Sequence, residues 1–294
     1  MSTITYSFII PHHNSKNLLS RCLASIPHRN DIEIIVIDDN SREEERPQQE
    51  REDEQILYID AAHTNGAGKA RNEGMKVAKG RWLVFADCDD YFKADFLSVL
   101  DKYKDTDNDF VCYNAEKVDD KFIKDLSFKK NEIIKKCAET GQCLDFIKFQ
   151  LHAPWFKMVR RKFIEKYNIV YEEVPKGNDM FFSFQVGYFA KKCVVDGEVV
   201  YVYTYNPNGI TNSKRDINIY MDMIARRFKK INFYHFVNHP EWVTNNFLFW
   251  IKILKREGVC MFIKILLSYF RKRATLLKSQ NVYVDSIKER MLPE

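Results

Sequence analysis

The sequence predicts an α/β fold in which helices cover both faces of a mostly parallel sheet. Two observations predict it. Short apolar runs alternate with stretches of helical periodicity through residues 6–86, as in successive strand–helix–strand units. Polar clusters follow three of these runs, at 11–14, 38–41 and 87–90. Because parallel sheets bind ligands beyond the carboxyl ends of their strands, the clusters are expected to meet in one crevice.

The predicted elements follow in chain order. Strands are predicted at short apolar runs bounded by polar or turn residues, over 6–10, 33–37, 56–59 and 81–86. Helices are predicted at 18–26 and 67–78, where apolar residues recur at helical spacing. Beyond residue 95 the pattern is less regular and predicts further strands at 110–114 and 194–205, and helices at 131–150, 179–189 and 216–280. We expect a nucleotide-binding domain over 1–212 and a helical region over 213–294.

Composition narrows the class of protein. The chain is 45% hydrophobic with few glycines and prolines, which excludes a disordered or repetitive chain. A net charge of +5 is too modest to indicate nucleic acid. The seven cysteines form no CxxC pair, so neither a zinc site nor a disulfide framework is expected. With neither a signal peptide nor an apolar run of membrane-spanning length, the protein is expected to be cytoplasmic.

Three carboxylates, Asp87, Asp89 and Asp90, follow the predicted strand 81–86. Carboxylates packed together repel one another, and Mn²⁺ or Mg²⁺ would neutralise them, with a substrate diphosphate as a further ligand. The alternative is an Asp-rich turn that caps the next helix. The preceding strand favours metal binding.

Three weaker patterns have equally plain alternatives. The Asp38–Ser41 cluster can hydrogen-bond a ribose or the imide N–H of a base, or it forms an Asx turn. The stretch Gly66–Asn72 brings backbone close to phosphate beside Lys69 and Arg71, or it is a flexible turn. Asp179 serves as a general base or, as its position alone favours, caps the helix that follows.

Taken in order and spacing, these segments resemble the family 2 glycosyltransferases, which have the GT-A fold. The resemblance covers roughly residues 5–205 and rests on SFIIPHHN (7–14), RCLASI (21–26), EIIVIDDNS (33–41), GKARNEG (68–74) and DCDD (87–90). PWFK (154–157) and GNDMFF (177–182) resemble acceptor-side segments. The family commonly has an aromatic residue where His13 stands, Gly where Asn40 stands and Glu where Asn178 stands.

The resemblance implies an inverting transferase that moves a sugar from a nucleotide-sugar, expected to be a UDP-sugar, to a saccharide or lipid-linked acceptor in surface polysaccharide biosynthesis. Asp89 and Asp87 would bind Mn²⁺ or Mg²⁺, and Asp179 would be the catalytic base. Trp155 and Asn178 would lie at the acceptor. The implied nucleotide-binding residues are Pro11, His13, Asn14, Asp39, Lys69, Arg71 and Asp87.

Two rival functions and the C-terminal region complete the predictions. A nucleotidyltransferase acting on sugar phosphates is disfavoured because Pro11–Asn14 stands where a glycine-rich loop is expected. A non-catalytic nucleotide-sugar-binding protein is disfavoured because Asp87, Asp89 and Asp179 are all present. Residues 247–278 interleave apolar and basic side chains, which suits peripheral contact with the inner face of a membrane, a packed subdomain or a homodimer interface.

Overall fold

The computed structural model describes residues 4–49, 51–59, 66–118, 130–206 and 215–291. Its contacts divide the chain into two compact units, residues 1–209 and 210–294. The predicted domain boundary between residues 212 and 213 lies outside the described residues, and it stays a prediction.

The described residues of the first unit form one mixed sheet of eight strands. The strands are β1 (Tyr6–His12), β2 (Ile32–Asp38), β3 (Glu54–Tyr58), β4 (Trp82–Phe85), β5 (Tyr91–Phe92), β6 (Phe110–Val118), β7 (Lys157–Arg160) and β8 (Cys193–Thr204). Their order across the sheet is β3-β2-β1-β4-β7-β6-β8-β5. The half that contains β3, β2, β1 and β4 is parallel, and β7 runs antiparallel to both of its neighbours. The predicted fold class is confirmed.

Strand β1 lies inside the parallel half, between β2 and β4, and all seven of its residues are buried. Such a strand needs mostly apolar side chains on both faces, which explains its apolar run, and the two polar residues Ser7 and His12 are hydrogen-bonded to β2. Its last residue, His12, is paired in register with Asp38, the last residue of β2. The polar loops that follow these two strands therefore start side by side.

The first unit also contains helices. They are α1 (Lys16–Ala24), α2 (Gly66–Val77), α3 (Phe96–Asp101), α4 (Lys130–Thr140), α5 (Leu144–Phe149), α6 (Arg161–Lys166) and α7 (Asp179–Phe189). The single helix predicted over 131–150 is two helices. Gly141 and Cys143 have φ of +69° and +66°, and this left-handed backbone cannot continue a right-handed helix.

The second unit contains α8 (Ile217–Phe236), α9 (Asn246–Lys278) and α10 (Val282–Glu289). Buried side chains of α8 and α9 form its core: Tyr220, Met221, Ile224, Ile253, Ile265 and Leu276. Gly258 interrupts α9 with φ 75° and ψ 172°, so that α9 consists of two helical segments. None of the described helices is both long enough and apolar enough to cross a bilayer.

Candidate active site

The candidate site lies where β1, β2 and β4 end, next to one another in the sheet. The loops after these strands carry the three predicted polar clusters. Their convergence follows from the strand order, since β1 is hydrogen-bonded to both β2 and β4.

A buried network joins the loops after β1 and β2. His12 Nδ1 lies 2.8 Å from Asp38 Oδ1, and His12 Nε2 accepts a hydrogen bond of 3.2 Å from the Ser15 backbone N–H. The proton of His12 is therefore on Nδ1, where it is donated to Asp38. Ser41 Oγ donates to the same carboxylate at 2.5 Å and accepts from the Asn14 backbone N–H at 2.8 Å. Burial alone would raise the pKa of Asp38, but hydrogen bonds from His12 and Ser41 outweigh it and lower this pKa.

Asp39 follows this pair, and its two carboxylate oxygens differ in their hydrogen bonding within the described part of the chain. Its Oδ2 accepts a hydrogen bond of 3.0 Å from the Gly66 backbone N–H, at the start of α2. Its Oδ1 is buried and has no hydrogen-bond partner among the described residues. Burial raises the pKa of Asp39. A buried oxygen of this kind costs free energy unless a ligand donates a hydrogen bond to it.

The residues after β1 border Asp39. His13 is exposed, and its Nδ1 lies 2.8 Å from the Asp39 carbonyl oxygen. Asn14 has φ +48°, and its Oδ1 accepts a hydrogen bond of 2.8 Å from the Arg42 backbone N–H. Pro11 is buried within β1 itself. The loop after β1 thus presents His13 at the surface beside Asp39, while Asn14 holds the loop after β2.

Asp90 has a structural role that the sequence did not indicate. It is fully buried, its Oδ2 accepts a hydrogen bond from the Tyr201 hydroxyl at 2.8 Å, and its Oδ1 accepts one from the Thr204 N–H at 2.7 Å. The Tyr201 oxygen also accepts from the Asp87 N–H at 2.9 Å. Burial raises the pKa of Asp90 well above its usual range. Asp90 therefore ties the acidic loop to β8.

Asp87 and Asp89 are the carboxylates of this loop that remain accessible. The Asp87 side chain is 33% exposed. Asp89 Oδ2 accepts a hydrogen bond of 3.1 Å from Asn206, and its carbonyl accepts one from Arg21. Burial, followed by the nearby Asp87 carboxylate, raises the pKa of Asp89. No cluster of three or more His, Cys, Asp or Glu suited to a metal occurs among the described residues.

Arg71 connects this loop to the acceptor-side segment. It is 4% exposed, donates to Asp87 Oδ1 at 2.5 Å, and donates to Asn178 Oδ1 at 2.9 Å. Its Nε is buried and without a partner among the described residues. The predicted nucleotide-contacting arginine therefore bridges two protein groups here. Lys69 lies away from this bridge, with Nζ 2.8 Å from Glu73 and 3.5 Å from Glu173.

Gly68 allows α2 to approach the segment before α7. A Cβ at this position would lie 2.1 Å from the Glu172 carbonyl oxygen and 2.7 Å from the Asn178 Cβ. Any side chain would therefore separate α2 from this segment. Gly68, the first glycine of the GKARNEG motif, thus lets α2 lie close enough for Arg71 to reach Asn178.

Asp179 is the first residue of α7 and is partly exposed. Asn178 precedes it as N-cap, but the Asn178 side chain makes no capping bond and instead binds Arg71. Burial raises the pKa of Asp179, against the opposing charges of Arg71 and Lys130. A partly exposed carboxylate with a raised pKa is a better proton acceptor than an ordinary Asp.

Trp155 forms an aromatic surface next to the acidic loop. It stacks on Tyr201 and Tyr203 of β8 with ring centroids 5.0 Å and 5.9 Å apart. Since Tyr201 also binds Asp90, the predicted acceptor residue is connected through one ring to the predicted metal loop. Sequence reasoning missed Tyr201, which lies 111 positions from Asp90 in a strand whose pattern marks no function.

The chain belongs to glycosyl transferase family 2, whose family model matches residues 7–168. It is similar to a poly(ribitol-phosphate) beta-glucosyltransferase of Bacillus spizizenii, with 25% identity over 69% of this chain and 32% of the relative. It is also similar to the Escherichia coli UDP-Glc:alpha-D-GlcNAc-diphosphoundecaprenol beta-1,3-glucosyltransferase WfaP, with 30% identity over 40% of this chain and 48% of the relative. The chain thus spans less than half the length of either of these two relatives.

Among solved structures, the fold resembles that of Staphylococcus aureus TarS 1–349 in complex with UDP-GlcNAc. The TM-score is 0.62 at 17% sequence identity, over 98% of this chain and 82% of the TarS chain. The resemblance to family 2 glycosyltransferases and the GT-A fold that it implied are both confirmed.

Proposed function

We propose that this chain is an inverting glycosyltransferase that moves a sugar from a UDP-sugar to a hydroxyl group of a saccharide. The observation that carries the proposal is that Asp87 and Asp89 follow β4 while Asp39, whose buried Oδ1 has no described partner, follows β2, two strands that flank β1 in the parallel half of the sheet. Family membership supports the reaction class. The names of WfaP and of the TarS complex, which mention UDP-Glc and UDP-GlcNAc, support a UDP-sugar donor.

The donor's base would lie against Asp39. Asp39 Oδ1, which has no partner among the described residues, would accept a hydrogen bond from the imide N–H of uracil; guanine would present its N–H on a larger ring system. Pro11 at the end of β1, with His13 and Asn14 in the loop that follows, would border the base. Arg71 and Lys69, both on α2, would contact the donor's phosphates.

Asp89, together with Asp87, would hold Mn²⁺ or Mg²⁺. Two carboxylates suffice for such an ion when a diphosphate completes its oxygen ligands, and Asp87 and Asp89 are both partly accessible. Asp90 does not belong to the ligand set, because both of its oxygens accept hydrogen bonds from β8. The bound ion supplies positive charge at the departing nucleoside diphosphate.

Asp179 would act as general base on the acceptor. It removes the proton of the attacking hydroxyl, whose oxygen forms a bond to the anomeric carbon as the bond from that carbon to the diphosphate oxygen breaks. Attack opposite the leaving group inverts the configuration at the anomeric carbon. Trp155 offers a flat apolar face for the acceptor ring, and Asn178 stands beside the base.

We further propose that the acceptor is part of a surface polysaccharide under construction and is carried on a lipid. The diphosphoundecaprenol acceptor in the name of WfaP supports this assignment. A lipid-linked acceptor places the reaction at the cytoplasmic face of a membrane.

Calorimetry of UDP and GDP binding, with and without Mn²⁺, tests the donor site. We expect UDP binding that requires the metal and weakens at least tenfold in Asp89→Ala, because the metal joins this carboxylate to the diphosphate. Asp95→Ala, which removes an exposed carboxylate near the same loop, is the matched control and should bind as the wild type does. Absence of binding by either nucleotide in the presence of metal would overturn the donor-site proposal.

A further inference from the structure

The second helical segment of α9 presents an apolar stripe to solvent. The stripe consists of Val259, Ile263, Leu267 and Phe270, whose side chains are 66%, 49%, 53% and 63% exposed. Their spacing places them within a sector of about 80° on one side of the helix. Scattered apolar side chains are common on protein surfaces, but a continuous stripe marks an interaction surface.

The stripe is not the side of α9 that packs within the second unit. That packing is made by Ile265 and Leu276, which are 0% and 7% exposed and contribute to the core with α8. Packing as a helical subdomain therefore accounts for one side of this helix and leaves the apolar stripe without a described partner.

The charges on the same segment are all of one sign. Residues 259–281 contain no Asp or Glu. Five basic residues lie among them: Lys264, Arg271, Lys272, Arg273 and Lys278. All five are exposed. Helical geometry places Lys264 and Arg271 along one border of the apolar stripe and Arg273 along the other.

We propose that this face of α9 docks on an anionic phospholipid bilayer, with the helix lying in the plane of the interface. The apolar stripe enters the boundary of the acyl chains, and the basic side chains that border it contact lipid phosphates, whereas Lys272 lies on the opposite side of the helix. Charge complementarity selects this occupant. Two copies meeting through the same face would bring like charges together without a carboxylate to balance them, which disfavours self-association.

Sedimentation with vesicles tests the proposal without donor or acceptor, so its failure and the failure of the transferase proposal are separately visible. We expect the full chain to sediment with vesicles of phosphatidylcholine and phosphatidylglycerol (3:1), and to remain in solution with phosphatidylcholine alone. The variant Ile263→Asn/Phe270→Asn should bind at least about tenfold more weakly, because it removes the inserted apolar area. Val282→Asn, at a side chain that is 47% exposed on α10, is the control and should bind like the wild type.

The basic residues are tested separately. Lys264→Gln/Arg271→Gln/Lys278→Gln should weaken binding about a hundredfold at low salt. The matched control, Lys135→Gln/Lys136→Gln/Lys162→Gln, removes three exposed charges of the first unit and should have little effect. Circular-dichroism melting verifies that each variant is folded.

Two results would overturn the proposal. One is a wild-type chain that stays in solution with the anionic vesicles. The other is a dimer, measured by light scattering, that the stripe variant dissociates while vesicle binding is unchanged, since the stripe would then be an interface between copies.

Discussion

The histidine–carboxylate pair His12–Asp38 is buried and fixes two loops of the site at once. We predict that His12→Phe lowers the free energy of unfolding by about 2–4 kcal/mol, because it leaves part of a buried carboxylate without a donor. Denaturant unfolding at neutral pH measures the change. His28→Phe, at a histidine side chain that is 76% exposed, is the control. Equal midpoints for the two variants would show that the pair contributes little to stability.

Asp179 gives a prediction about rate. We expect Asp179→Asn to lower kcat by about 10²–10⁴-fold with donor binding retained, since only proton removal is lost. Burial raises the pKa of Asp179, so the carboxylate is protonated, and the wild-type rate falls, at a higher pH than for an ordinary Asp. A pH profile of kcat/KM measures this acidic limb. Retention of the limb in Asp179→Asn would assign it to another group.

Lys157 gives a prediction about stability. Its ammonium is buried and donates to the Leu151 carbonyl and toward Ser183 Oγ at 3.5 Å. Burial lowers the pKa of Lys157 to about 8. Between pH 8 and about 10 the unfolded chain binds the proton that the folded chain has released, so stability from this group rises with pH, by up to about 3 kcal/mol.

Lys157→Met should remove this rise. Urea unfolding of both proteins at pH 7, 8, 9 and 10 measures it as a difference between two slopes. Parallel pH dependence in wild type and variant would contradict the lowered pKa.

At the residue scale, the sequence predicted which carboxylates follow the strands but not what each of them binds. Asp39, Asp87 and Asp89 were found from their positions after apolar runs. Asp90 looked equivalent to its neighbours, and its structural role depends on Tyr201, more than a hundred positions away. Arg71 and Asn178, which share a hydrogen bond, also lie more than a hundred positions apart in the chain. Local pattern carries no information about such pairings.

At the scale of elements, α2 packs closely against the segment before α7 because residue 68 is a glycine. Gly68→Ala should lower the free energy of unfolding by about 1–3 kcal/mol and weaken UDP binding, because its Cβ meets the Glu172 carbonyl at 2.1 Å. Thermal melting and calorimetry measure the two effects. Gly197→Ala is the control, because the atom nearest to its Cβ would lie 3.5 Å away, an ordinary contact distance. Wild-type stability and UDP binding in Gly68→Ala would show that α2 adjusts without cost.

The strands that were predicted differ from those that were missed in the apolar runs that they contain. The strands β1 and β2 were predicted within two residues of their ends. The strand β5 has only two residues, and β7 begins and ends with a basic residue, so neither shows the apolar run by which the equally short β4 was predicted. The break between α4 and α5 was missed because Cys143, unlike Gly141, gives no sign of a left-handed backbone.

At the scale of the whole molecule, the transferase proposal and the proposed bilayer contact can be tested together. We expect Ile263→Asn/Phe270→Asn to keep the wild-type rate on a soluble saccharide acceptor and to lose about tenfold on the same saccharide anchored in anionic vesicles. The two rates are compared at equal acceptor concentration. A loss of rate on both acceptors would mean that these side chains support the catalytic unit itself.

The guanidinium of Arg71 donates hydrogen bonds to both Asp87 and Asn178, and this shared donor has a thermodynamic consequence. A metal–diphosphate that draws Asp87 toward itself also changes the energy with which Arg71 restrains the start of α7. Donor and acceptor affinities should therefore be linked, and linkage is reciprocal: whatever factor the nucleotide imposes on acceptor binding, the acceptor imposes on nucleotide binding. Such coupling would favour an ordered sequence of substrate binding, set by a side chain that itself transfers no proton.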